Sequence, residues 1–164
     1  MKLLIFNTSS SLYLTKVGLI PKLLKHFKII ASTDIEKEMK EGVEMGYKDA
    51  QMIVRYFEEE KIKVVQARKS KEISKDFNIK EIDASVIALA QEQKGIVATE
   101  DRQIEKICLM TGTPVINTAV LIYILWKEQE LNAEQSYLLL ELLLRQGYNK
   151  EICLKMKEKI MQEE

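Results

Sequence analysis

The stretch Ile82-Asp83-Ala84-Ser85-Val86-Ile87-Ala88-Leu89-Ala90-Gln91-Glu92-Gln93-Lys94-Gly95-Ile96-Val97-Ala98-Thr99-Glu100-Asp101 joins three signals. Ala84, Ile87, Ala88 and Ala90 are apolar at helical spacing and predict a core helix over residues 83–94. Gly95 is placed to stop it, because glycine takes the left-handed conformation of a helix end at little cost. Ile96-Val97-Ala98 is then apolar without alternation, as expected of a strand covered on both faces. The run ends abruptly in Thr99-Glu100-Asp101. A core helix feeding a wholly apolar strand predicts an α/β fold with a parallel sheet, and in such sheets ligands sit beyond the carboxyl ends of the strands.

The flanking sequence repeats this alternation. Residues 2–6 form an apolar run with a sharp polar stop at Asn7-Thr8-Ser9-Ser10, and residues 27–31, 62–65 and 114–116 are three further strand candidates. Helical spacing covers 11–25, broken at Val17-Gly18-Leu19-Ile20-Pro21, and then 34–39, 47–60, 69–77, 102–110 and 118–126. Gly112 ends the helix at 102–110, and two last helices, 133–145 and 149–161, are joined around Gly147. The expectation is one domain over residues 1–164, closed by a helical hairpin over 132–164.

Composition narrows the function classes. A chain of 164 residues, 46% hydrophobic and 30% charged, has the size and core of one ordinary domain. Its 25 Lys+Arg balance 25 Asp+Glu, which opposes both disorder and a generally basic coat for nucleic acid, while leaving room for a local basic rim. Cys108 and Cys153 lie in apolar helical patterns and lack metal-ligand spacing, so buried free thiols are expected. The single histidine, His26, gives no credible triad with the serines at 9–11 and is expected as a partner of a helix C-terminus. No two of the glycines at 18, 42, 46, 95, 112 and 147 are two apart, which removes GxGxxG, and neither a phosphate loop nor a G-x-S-x-G turn is present. The apolar runs are too short for a signal peptide or a membrane span, so a soluble cytoplasmic protein with no membrane partner is expected.

The strand ends carry the chemistry. Asn7 follows the first strand, and Asp34, Glu36 and Glu38 lie on the helix after the second. Asp83 opens the helix before the fourth strand, and Thr99-Glu100-Asp101 ends that strand. Taken singly, each acid suits a helix cap or dipole. Taken together, separate segments bring acids to one sheet edge, and crowded carboxylates repel unless a cation compensates. Oxygen-only ligands select hard cations such as Mg²⁺ or Mn²⁺.

The ordered set of motifs resembles the PIN-domain family, in its prokaryotic VapC-like toxin branch. Leu3-Leu4-Ile5-Phe6-Asn7-Thr8-Ser9 is similar to the family's opening strand and D-T-S motif. Ile35-Glu36-Lys37-Glu38-Met39 resembles its V-x-x-E, Ile82 to Ala90 its central acid and Ala-rich helix, and Ile96 to Asp101 its strand ending in T-x-D. Gly112 to Thr118 fits the short last strand and its turn. The resemblance implies a three-layer α/β/α sandwich with a five-stranded parallel sheet. It also implies Mg²⁺- or Mn²⁺-dependent endoribonuclease activity, in many members as the toxin of a toxin–antitoxin pair. Carried over residue by residue, the metal ligands are Asn7, Glu38, Asp83 and Asp101, with Glu38, Asp83, Asp101 and Thr99 as catalytic residues. Asn7 departs from the family's Asp: its carbonyl can ligate a cation but brings no negative charge, so metal affinity should fall. The other reading is a degenerate PIN module that binds RNA or a protein partner without cutting. Lys16, Arg68, Lys69, Lys71 and Arg102 are the basic candidates for gripping RNA.

Residues 119–126 are apolar without a break, and 138–144 nearly so. A surface helix should keep a polar face, so a homodimer is expected, and the resemblance implies an antitoxin protein as a further partner.

Overall fold

The computed structural model describes residues 1–164. The strands are β1 (Lys2–Phe6), β2 (Phe27–Ser32), β3 (Lys63–Val65), β4 (Ile96–Ala98) and β5 (Val115–Ile116). They form one sheet in the order β3-β2-β1-β4-β5, and every neighbouring pair is parallel. Central β1 aligns Leu4 with Ile29 on one side and with Ile96 on the other. Successive side chains of a strand point to opposite faces, yet Leu4, Ile5 and Phe6 are all buried, so helices cover both faces. The result is the expected α/β/α sandwich.

The helices are α1 (Thr8–Lys16), α2 (Ile20–Leu23), α3 (Thr33–Glu44), α4 (Lys48–Glu58), α5 (Ser70–Phe77), α6 (Glu81–Gln93), α7 (Arg102–Thr111), α8 (Thr118–Lys127), α9 (Ala133–Arg145) and α10 (Lys150–Glu163). In α6 every residue from Ala84 to Ala90 is buried, because the helix lies against β1, β2 and β4 with α3, α5 and α7 around it. Its small residues permit that close approach. Full burial of a Leu or Ile side chain contributes about 1.5–3 kcal/mol, and the buried apolar residues form one continuous cluster that holds the sheet and helices together.

Three local expectations are corrected. The helix after β1 begins at Thr8 rather than residue 11. Its hydroxyls are bonded inside the fold: Ser10 Oγ donates to the Ala98 carbonyl at 2.5 Å, Ser11 Oγ to Thr8 O at 2.8 Å and Thr15 Oγ1 to Ser11 O at 2.8 Å. A polar run that reads as loop is therefore a buried first turn. Gly95 does not make the left-handed turn that ends α6; Lys94 does, at φ +55°. Gly95 serves a close approach instead, since a Cβ there would lie 2.7 Å from Ile5 Cδ1. His26 pairs with Glu130 through Nε2 at 3.1 Å, beside Lys25 at 3.0 Å, tying the end of α2 to the α8–α9 connection. Cys108 and Cys153 are buried free thiols as expected, and burial pushes them up to about 12 and about 11. No helix is long and apolar enough to cross a membrane.

The apolar excess of α8 is largely covered within the chain. Ala119, Leu121, Ile122 and Leu125 are buried, and α9, α10 and α1 pack around the helix. What remains open on the hairpin is Leu138 and Leu142 of α9 and Leu154 and Met161 of α10, at 55%, 41%, 44% and 58% exposure.

Candidate metal centre

The strand order reverses at β1: the chain runs outward through β2 and β3, then returns to the other side of β1 as β4. Open α/β sheets bind ligands at such a switch point, beyond the carboxyl ends of the strands. Asn7 ends β1 there, and Thr99-Glu100-Asp101 ends β4 beside it.

The two strand ends are laced together. Asn7 is 5% exposed and its backbone N–H donates to the Ala98 carbonyl at 3.1 Å. Although Asn7 occupies the cap position of α1, its side chain does not cap. Its Nδ2 donates instead to Thr99 Oγ1 at 2.8 Å. The same Thr99 oxygen accepts the Asp101 backbone N–H at 3.0 Å. Asp101 Oδ1 caps α7, accepting from Gln103 N at 2.8 Å and Ile104 N at 3.0 Å. The helix-cap role is therefore real for Asp101, and it occupies one carboxylate oxygen of two.

Glu38 reaches the edge from α3. Ser32 caps that helix by accepting the Ile35 N–H at 3.1 Å, and Ile35 and Met39 form its buried stripe. Glu38 flanks the stripe, and the Thr8 hydroxyl donates to its Oε2. Asp83 stands in the first turn of α6, two residues inside the helix rather than at its opening. The bond between Ser32 Oγ and Ser85 Oγ, 2.7 Å, fixes this turn of α6 against the end of β2. Burial raises the Asp83 carboxyl above its usual range; the charge of Asp101 adds to the rise, Lys80 opposes it, and Glu38 adds further. Asp83 thus feels two further carboxylates, Asp101 and Glu38, each from a different element.

Glu100 turns the other way. Its Oε1 accepts from Thr118 N at 2.8 Å and from the Thr118 hydroxyl, and its Oε2 accepts from Tyr148 Oη at 2.5 Å. Burial raises its carboxyl, against the lowering effect of these bonds. It does not join the acids at the edge.

The donor set of Glu38, Asp83, Asp101 and the Asn7 amide is all oxygen, which is the chemistry of a hard divalent cation. As placed, no three acidic, His or Cys side chains are gathered tightly enough to hold a metal ion. Glu38 is held by Thr8 and Asp101 by its cap bonds, so a cation would have to draw these side chains inward. A hollow of about 350 Å³ beside Glu38 is lined by Asp34, Lys37, Glu41, Glu81 and Ile82, and Asp83 and Asp101 lie outside it. Sequence reasoning gave no role to Thr8, Ser9, Ser85 or Tyr148. Ser85 carried a signal, a polar residue inside an otherwise apolar helix; Tyr148 carried none.

These features define a parallel α/β domain with an acidic switch point. A family model described as "DUF3368: PIN domain" matches residues 3–160, and the chain belongs to the PIN-domain family. Two solved structures share its fold. One is PAE2754 from Pyrobaculum aerophilum, 18% identical, with a TM-score of 0.50 over 74% of this chain and 93% of that one. The other is VapBC2 from Rickettsia felis, bound to a DNA fragment from their promoter, 13% identical, with a TM-score of 0.54 over 70% of this chain and 98% of that one. No curated protein matches the sequence.

Proposed function

We propose that this chain is a single-domain, metal-dependent endoribonuclease of the PIN type, acting in the cytoplasm as the toxin of a toxin–antitoxin pair. The observation that carries the reading is at Asp83: burial and the charges of Asp101 and Glu38 raise its half-buried carboxyl, a set of like charges that a cation would make favourable. Membership of the PIN family and the likeness of fold to a VapBC complex support the toxin–antitoxin setting.

When bound, Mg²⁺ or Mn²⁺ would neutralise a phosphodiester and acidify a water. Asp83 and Asp101 would hold the ion. Glu38 would hold it or orient the water, and the Asn7 carbonyl would be a neutral ligand. Thr99 fixes Asn7 and the Asp101 backbone through one hydroxyl. Lys16, Arg68, Lys69, Lys71 and Arg102 pair with no acid within 4.0 Å and are free to meet RNA phosphates. A second reading, a PIN module that binds RNA or protein without cutting, is favoured by Asn7 alone, because the amide leaves the site one charge short.

The test is cleavage of single-stranded RNA with Mg²⁺, with Mn²⁺ and with EDTA, using Asp83→Asn as control. Metal-dependent cleavage lost in Asp83→Asn is expected. RNA binding with no cleavage under any metal favours the second reading.

A further inference from the structure

We infer that Tyr148 and Glu100 act together as a clasp by which the C-terminal hairpin positions the metal-holding loop, making Tyr148 a positioning residue for Asp101 and Thr99. The inference rests on the proposed metal centre and names a part of its support that lies far away in the chain.

Tyr148 follows Gly147, whose φ of +86° makes the sharp turn between α9 and α10. The turn delivers the Tyr148 ring into the interior, 7% exposed and edge-on to Tyr13 at 5.2 Å between ring centres. Its hydroxyl donates to Glu100 Oε2 at 2.5 Å and accepts the Ala119 N–H at 3.3 Å. The other Glu100 oxygen is taken by the first residue of α8. The Glu100 backbone N–H donates to Ser9 Oγ at 3.1 Å. Glu100 is thus bonded to α1, α8 and the hairpin turn, while its neighbours Thr99 and Asp101 face the edge.

Burial penalises the Glu100 carboxylate, and it takes no part with the acids at the edge, so its presence needs another reason. Bonds to three elements supply one: the carboxylate accepts from α8 and the hairpin turn and the backbone N–H donates to α1, which fixes the loop's direction in a way the two cap bonds of Asp101, both to α7, do not. Groups that orient metal ligands from behind govern affinity nearly as strongly as the ligands. Tyr13 is the internal comparison, because it shares the ring contact and makes no hydroxyl bond to Glu100.

The experiment compares the full chain with Tyr148→Phe, Glu100→Gln and Tyr13→Phe, by hydrogen exchange of the 99–101 amides and by Mn²⁺ titration. Tyr148→Phe keeps the ring and removes only the hydroxyl. The expected result is faster exchange at Thr99 and Asp101 and Mn²⁺ affinity weaker by roughly tenfold in Tyr148→Phe and Glu100→Gln, with Tyr13→Phe unchanged. Unchanged exchange overturns the clasp. Faster exchange with unchanged Mn²⁺ affinity also overturns it, since that is what a merely structural bond gives. Should the native chain bind no Mn²⁺, the metal centre fails, and exchange alone decides whether Tyr148 holds the loop.

Discussion

Asn7 is the residue on which the proposed nuclease activity turns. Its Nδ2 donates to Thr99 Oγ1, which also accepts from Asp101, so the Thr99 proton is free to reverse the first bond toward a carboxylate. Asn7→Asp therefore fits sterically but adds a nearly buried charge next to the Thr99–Asp101 turn. In EDTA it should destabilise by about 1–3 kcal/mol, and Mn²⁺ should restore and exceed the native Tm. Thermal melts with and without Mn²⁺ check this, and faster RNA cleavage should accompany it. Asp83 gives the complementary prediction. Burial and then Asp101 raise its carboxyl, with Lys80 opposing and Glu38 adding. An acid with a raised folded pKa binds protons more tightly folded than unfolded, so its contribution to stability improves as pH falls through the folded value and is lost above it. In EDTA near neutral pH, Asp83→Asn should stabilise by about 1 kcal/mol, a gain that shrinks as the native carboxyl protonates on acidification. Melts across pH test the sign; a gain that grows on acidification contradicts it.

At the scale of elements, the residue pair Lys94-Gly95 reads differently in the fold than in the sequence. Gly95→Ala should cost about 1–3 kcal/mol, because its Cβ meets Ile5 and the Leu3 carbonyl where β4 joins β1. Lys94→Gly should instead stabilise by about 1 kcal/mol, by relieving a non-glycine residue at φ +55°. Denaturant titration of both variants checks the opposite signs. The glycine was legible as an end signal, but which residue turns left-handed depends on packing against Ile5, which periodicity does not contain. The same limit separates what was legible elsewhere. β4 and α9 fall where apolar runs and caps place them, and the acids at the strand ends could be named because parallel topology sends all those ends to one edge. The start of α1 was missed because the Ser10 hydroxyl is satisfied by β4, a partner more than eighty residues away. Glu100 was misplaced beside the acids because nothing local shows that its side chain turns to Tyr148.

The molecule as a whole presents two questions, assembly and metal. The apolar run of α8 pointed to a dimer, yet α9 and α10 cover most of it, leaving Leu138, Leu142, Leu154 and Met161 as the open apolar side chains of the hairpin. Sedimentation at micromolar concentration should show a dimer, and Leu138→Lys with Leu142→Lys should give a folded monomer with little change in Tm. A native monomer at every concentration would remove the pairing and leave these side chains as ordinary surface. We propose that the switch point of the sheet holds a divalent cation. The direct measurement is the anomalous scattering of a crystal soaked in Mn²⁺. The predicted result is one strong peak bounded by Asp83 and Asp101, with Glu38 released from Thr8 and turned toward it, at oxygen distances of about 2.0–2.2 Å. A crystal with no Mn²⁺ at this edge, or with Mn²⁺ only at sites that exclude Asp83 and Asp101, would contradict it.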